Sequence, residues 1–172
     1  MPLPQISTPT YELVIPSSKK KVKFRPFLVK EEKLLVIALE SEDTKQITNA
    51  IKAVIKSCIL TKGIKVDTLP TFDIEYLFLN IRGKSVGENV EVIVTCPDDN
   101  ETEVSVIIPL DEIQVKRDPD HNKDIKLDDN LVMRMRYPSL SEFVKTNFDS
   151  DEDITVDQSF DLIISCIDQV YN

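Results

Sequence analysis

The chain has 172 residues, of which 41% are hydrophobic, 30% charged and 6% aromatic, and its formal charge at pH 7 is -9. That length makes one domain, or two small ones, and buries about 70% of the surface its unfolded form exposes. One histidine, three glycines and no tryptophan are too few for a phosphate loop or a dinucleotide fingerprint, and the negative charge argues against a general nucleic-acid binder.

The opening ten residues hold three prolines and no apolar period, which predicts an extended arm or a strand lead-in. Tyr11 to Ile15 and Val22 to Phe24 are short β-rich runs around Pro16-Ser17-Ser18 and lysines, so a hairpin with a polar loop is expected, ended by Pro26. From Val29 to Leu39, Leu34, Leu35 and Ala38 fall at helical spacing. After Ser41-Glu42-Asp43, the stripe Ile47, Ala50, Ile51, Val54, Ile55, Cys58 and Ile59 predicts an amphipathic helix with Gly63 as its stop. Pro70 suits a first helical position, and Phe72, Ile74, Leu77, Phe78 and Ile81 then give a third helix, to about Ile81.

The period now changes from 3.6 to 2. Val90, Val92, Val94 and Cys96 alternate with other residues, as do Val104, Val106 and Ile108 after the turn Pro97-Asp98-Asp99-Asn100, which predicts a β-hairpin. Ile113 with Val115, Ile125 with Leu127, and Leu131 to Tyr137 are shorter extended segments. Pro138 and Ser139 open a short helix through Phe143 and Val144, Asp149 to Asp153 make an acidic linker, and a last helix is expected from about Val156 to Tyr171. Its apolar face is Phe160, Ile163, Ile164, Ile167, Val170 and Tyr171. The order of elements predicts an α+β fold with two β-hairpin or small antiparallel sheet regions and four to five helices, segregated rather than alternating. Ile51, Val54, Ile55, Leu77, Phe78, Val92, Val94, Val106 and Ile163 are the expected core.

Residues 1–86 carry 14 Lys and Arg against 9 Asp and Glu, or +5, and residues 87–172 carry 7 against 21, or -14. One compact unit is expected, divisible into a basic subdomain 1–86 and an acidic subdomain 87–172. The asymmetry means either two solvated faces or steering toward partners. No apolar run approaches the ~20 residues of a membrane span, and Met1-Pro2-Leu3-Pro4 lacks the blocks of a signal peptide. A cytosolic protein without a membrane role is the expectation.

Candidate chemical sites are few. Cys58, Cys96 and Cys166 are too sparse for a disulfide framework, so reduced, buried thiols are expected. Cys96-Pro97-Asp98-Asp99 resembles half a zinc knuckle with Asp99 in the second sulfur position, and no nearby Cys or His completes four ligands. His121, within Asp118-Pro119-Asp120-His121-Asn122, reads as a solvated acidic loop, and Lys19-Lys20-Lys21 as a solubilising hairpin tip rather than a phosphate grip. Carboxylates are plentiful, but no pairing can be placed in a pocket. No enzyme, no metal and no cofactor are expected.

The opening PLPQISTPTYELVIPSSKKKVKFRPFLVKEEKLLVIALES, NIRGKSVGE at Asn80 to Glu88, TCP at Thr95 to Pro97, YPS at Tyr137 to Ser139 and ISCIDQVY at Ile164 to Tyr171 together resemble the baseplate hub assembly proteins of T4-type contractile-tailed phages. The resemblance spans nearly the whole chain, and RPFLVKEEK and IRGKSVGE are its most specific blocks. It implies a role in virion morphogenesis, in the host cytoplasm, helping the central hub of the baseplate form by acting on other phage hub proteins. Some proteins of that kind carry a Cys-x-x-Cys knuckle where this chain has Cys96 and Asp99, which removes the second thiolate here.

Within those blocks and on the last helix lie the candidate partner-binding residues: Arg25, Phe27, Arg82, Lys84, Ile163, Ile167 and Tyr171. Arg25 and Arg82 have the fork geometry for a partner's carboxylates, or equally for an internal salt bridge. A transient assembly factor is the first functional expectation, and a permanent structural subunit of the hub, located in the virion baseplate, the second. A small nucleic-acid-binding regulator acting through Lys19 to Arg25 is the third, disfavoured by the acidic half. Self-association is left open.

Overall fold

The computed structural model describes residues 8–148 and 155–172. The first ones form a hairpin of β1 (Tyr11–Val14) and β2 (Lys21–Phe24), with Tyr11 opposite Phe24 and Val14 opposite Lys21. A period of two sends Leu13, Ile15, Val22 and Phe24 to one face, where all four are buried, and leaves the lysines outside. The expected arm at the start and acidic linker at Asp149 to Asp153 lie largely or wholly outside the described residues.

Helix α1 (Val29–Glu40) starts where Glu31 folds back to accept the Leu28 backbone N–H at 2.8 Å, satisfying one of the donors a helix start leaves open. Helix α2 (Thr44–Cys58) is capped by Asp43, whose carboxylate accepts the N–H groups of Lys45 and Gln46. It ends before the expected Gly63 because tertiary pairing takes over. Ile59 bridges Phe24, and the Leu60 N–H donates to the Lys23 carbonyl at 2.8 Å. Gly63, at φ 85°, turns the chain beyond it.

Helix α3 (Thr71–Val86) follows Pro70 as expected and runs on to Val86 rather than stopping near Ile81. Gly83 lies inside it, where Leu110 packs against the helix at a distance that a Cβ would meet in ordinary contact, 3.7 Å. Helices and first hairpin enclose one core of Leu13, Ile15, Val22, Phe24, Val54, Ile55, Cys58, Val66, Ile74, Leu77 and Ile81, with Ile51 and Phe78 packed against it. Every member falls between residues 13 and 81.

The second half is built differently. Strands β3 (Asn89–Thr95) and β4 (Glu103–Pro109) form the expected hairpin, with Val90 opposite Ile108, Val92 opposite Val106 and Val94 opposite Val104. Among the described residues they pair only with each other. Strands β5 (Asp124–Lys126), β6 (Val132–Met135) and β7 (Ile167–Tyr171) make a third antiparallel sheet in the order β5-β6-β7, and helices α4 (Leu140–Phe148) and α5 (Val156–Ser165) lie between β6 and β7 in sequence. The described residues thus hold five α-helices and three small antiparallel sheets. This is an α+β fold.

Two expectations are corrected. The last helix ends at Ser165, and Ile167 to Tyr171 form a strand instead, because β6 offers a free edge that Val170 and Tyr171 occupy opposite Met133 and Val132. Val94 and Val106 of the hairpin and Ile163 of α5 are exposed and Val92 only half-buried, so none of these four belongs to the core. The residues beyond Val86 bury few apolar side chains, chiefly Leu110, Val144 and Cys166. Many large apolar side chains beyond Val86 stay exposed instead, among them Ile93, Val94, Val104, Ile107, Phe160 and Ile164.

Candidate protein-interaction surface

The hairpin β3–β4 carries part of that exposed apolar surface. Alternation puts Val90, Val92, Val94, Val104, Val106 and Ile108 on one face, paired across the strands, and Val94 and Val104 remain 49% and 47% exposed. β-Branched pairs of this kind stabilise a sheet, but a two-stranded hairpin with a bare apolar face is marginal alone in water. At its tip, Asp99 accepts the backbone N–H groups of Glu101 and Thr102 and the Thr102 hydroxyl. These bonds, the hydroxyl first, hold its carboxyl at about 2. Asp99 therefore works as a turn cap. Among the described residues no group of three or more His, Cys, Asp or Glu side chains is placed to hold a metal ion.

Helix α5 presents a second apolar strip. Thr155 caps it through a reciprocal pair with Gln158, the Thr155 N–H donating at 2.8 Å and the Gln158 N–H returning at 3.2 Å. Val156, Phe160, Ile163 and Ile164, at helical spacing, are all more than half exposed. On α1, Val36, Ile37 and Leu39 are likewise bare. That exposure has a signal in the sequence: the run Leu34 to Leu39 is apolar on all sides, which a surface helix with one buried stripe does not need.

The seven candidate partner residues divide. Ile163 is 51% exposed on α5, while Ile167 and Tyr171 stand on β7, where the Tyr171 hydroxyl meets the Arg134 guanidinium at 3.3 Å. Phe27 of one sequence block meets Ser85 of the other. The Phe27 N–H donates to the Ser85 hydroxyl at 2.9 Å, and the Lys84 ammonium pairs with Glu88 and lies 5.4 Å from the centre of the Tyr11 ring. Arg82 is half-buried on α3, and its Nη1 has no hydrogen-bond partner within the protein. The structure joins the RPF and RGKS blocks to each other rather than to the exposed apolar faces.

Arg25 itself turns inward. Its guanidinium donates to Glu31 at 3.0 Å and to the Pro26 carbonyl at 2.8 Å, and Glu31, 4% exposed, also accepts the Ser57 hydroxyl at 3.0 Å. Burial alone raises the Glu31 carboxyl, yet the bonds from Arg25, Leu28 and Ser57 outweigh it and hold the group at about 2, below its ordinary 4.5. A carboxylate with a lower pKa in the folded state stabilises the fold above its unfolded value, and that contribution disappears as pH falls through the folded value. Glu142, held at about 2 chiefly by Arg136, acts in the same direction. Urea unfolding followed by circular dichroism should therefore show stability dropping from pH 4.5 toward pH 2, with a shallower drop in Glu31→Gln. Identical slopes in the two proteins would contradict this.

A cavity of about 350 Å³ opens between the β1–β2 loop and the segment 115–121, lined among others by Lys19, Phe72, Lys116, Arg117, His121 and Tyr137. The ring of Tyr137 meets Phe72 edge-on at 4.9 Å and stacks on His121 at 5.6 Å. Sequence reasoning missed this cleft, because its two walls, around Lys19 and around Lys116, lie 97 positions apart in the sequence with no shared motif.

Compared with known families, residues 8–172 match the family described as T4 bacteriophage base plate protein. The chain belongs to that family. It is a phage baseplate protein, and its family points to association with other phage baseplate proteins. No curated protein and no solved structure matches it. Among the described residues, no helix is long and apolar enough to cross a membrane.

Proposed function

We propose that this baseplate protein is an assembly factor for the central hub, acting in the host cytoplasm by binding other hub proteins and without catalysis. The observation that carries this reading is the hairpin β3–β4, whose face of six β-branched residues leaves Val94, Val104, Val106 and Ile108 exposed and Val90 and Val92 only partly covered by the described residues. Apolar surface of that kind is costly in water and marks a protein-binding site. The resemblance of the RPFLVKEEK and IRGKSVGE blocks to hub assembly proteins supports assembly over permanent residence. The split of +5 against -14 between the two halves supports electrostatic steering of the encounter, and the same acidic half weighs against nucleic acid as the target.

Quantitative mass spectrometry of purified particles and of infected-cell lysate tests the reading. Abundance in the lysate with near absence from mature particles is expected. Stoichiometric copies in every particle would overturn it in favour of a permanent hub subunit.

A further inference from the structure

We propose that the cleft between the β1–β2 loop and segment 115–121 is a second binding site, one that takes a short acidic peptide segment of a baseplate partner. The inference rests on the reading that this protein works by binding others, but it concerns a surface separate from the apolar hairpin face. Three cations, Lys19, Lys116 and Arg117, line the cleft of about 350 Å³, and among the described residues none has a carboxylate within ion-pair distance. The one acidic side chain on the rim, Asp118, is engaged locally, accepting the Asp120 backbone N–H at 2.9 Å. Three cations on one concavity outnumber the Asp118 carboxylate on its rim and the buried Asp73 carboxylate on which Lys19 acts, which in a chain of charge -9 leaves a local positive excess.

The walls are fixed before any ligand arrives. Ser17 donates its N–H at 3.0 Å, and its hydroxyl, to the carboxylate of Asp73, which is fully buried on α3. This ties the β1–β2 loop down and carries Lys19, held at φ 56°, to the rim. A non-glycine residue in that region persists only where its surroundings impose it. Across the cleft, the Tyr137 hydroxyl and His121 Nε2 lie 2.8 Å apart, and the Phe72 edge closes the floor. A preformed site loses less ordering entropy on binding than a loop that must first fold.

The lining selects the ligand class. A free phosphate would use the cations alone, whereas a peptide can also rest an apolar side chain on the part of the Phe72 and Tyr137 rings left open by His121 and Lys123 and direct flanking carboxylates to Lys19, Lys116 and Arg117. Bidentate pairing of Arg117 with a carboxylate gives the orientation. A long polyanion would extend beyond the cleft over the acidic half, where like charges repel it.

Fluorescence anisotropy with a labelled peptide of sequence Asp-Glu-Phe-Glu-Asp tests the site on the full chain. Saturable binding is expected, weakened at least tenfold in Lys116→Glu/Arg117→Glu, weakened by raising salt, and weakened when the peptide phenylalanine is replaced by alanine. Both substitutions sit on an exposed segment, and unchanged circular dichroism confirms the fold. Lys19→Glu, on the opposite wall, should weaken binding independently. No saturable binding to the wild-type chain, equal affinity of the variants, or preference for an oligonucleotide or inorganic polyphosphate would each overturn the inference. Since the hairpin face is untouched by these substitutions, loss of hub-protein binding through hairpin variants alone would leave the proposed function standing while the cleft inference fell.

Discussion

Replacing Arg25 with alanine is expected to remove about 3–5 kcal/mol of unfolding free energy, the usual cost of leaving a buried charge without its partner. Glu31 is 4% exposed and 3.0 Å from the guanidinium. Its remaining partners, the Leu28 N–H and the Ser57 hydroxyl, are neutral, and Lys30, at 3.5 Å, is itself largely exposed and well screened. Alanine would strip Glu31 of its main counter-charge and open the junction of β2, α1 and α2. The double substitution Arg25→Met/Glu31→Met should recover most of the loss, because an apolar pair of similar volume needs no compensation. Urea denaturation with an unchanged midpoint in Arg25→Ala would refute the argument. A consequence for binding studies is that charge reversal at Arg25 would report unfolding rather than a lost contact, so partner mapping belongs at Ile163 and the hairpin.

What could be read from the sequence follows from how local each determinant is. The hairpins at 11–24 and 89–109 were legible because period-two alternation and a polar turn suffice to specify them, and α2 because its stripe begins right after the capping Asp43. The end of α5 was not. Ile164 to Tyr171 fits a helical stripe as well as a strand, and the choice rests on the edge of β6 at Val132 to Met135, more than thirty residues away and invisible to any local pattern. Val92, Val94 and Val106 share one face, as their alternation implies, but they lie outside the core in which the same alternation puts them. Periodicity states which face is apolar, and cannot state whether this chain or another covers it. For Arg25 and Arg82 the sequence leaves a partner contact and an internal salt bridge equally open, and the bond between Phe27 and Ser85 that joins their two blocks depends on the tertiary fold alone. The aromatic cleft shows the limit most sharply, since Phe72, Tyr137 and Lys19 carry no shared sequence signal.

Substituting Val94→Lys together with Val104→Glu is expected to abolish hub-protein binding while leaving the chain folded. The two residues face each other across β3 and β4 and are 49% and 47% exposed, so neither is needed for the core at residues 13–81. Opposite charges directly across an antiparallel pair support the pairing, and exposed substitutions of this kind usually shift stability by no more than about 0.5 kcal/mol. Binding responds differently. A lysine and a glutamate at the centre of an apolar interface must be dehydrated without partners, and removing two central anchors typically costs about 2 kcal/mol or more, a loss of roughly thirtyfold in affinity. Co-expression with the other baseplate proteins and affinity capture of this chain should recover wild-type complexes and fail with the variant. The isolated variant should also stay monodisperse at higher concentration, because the bare face that favours self-contact is gone. If capture is undiminished while the melting temperature is unchanged, the hairpin face is not the docking surface, and the exposed strip of Val156, Phe160, Ile163 and Ile164 on α5 becomes the next place to apply the same charge substitution.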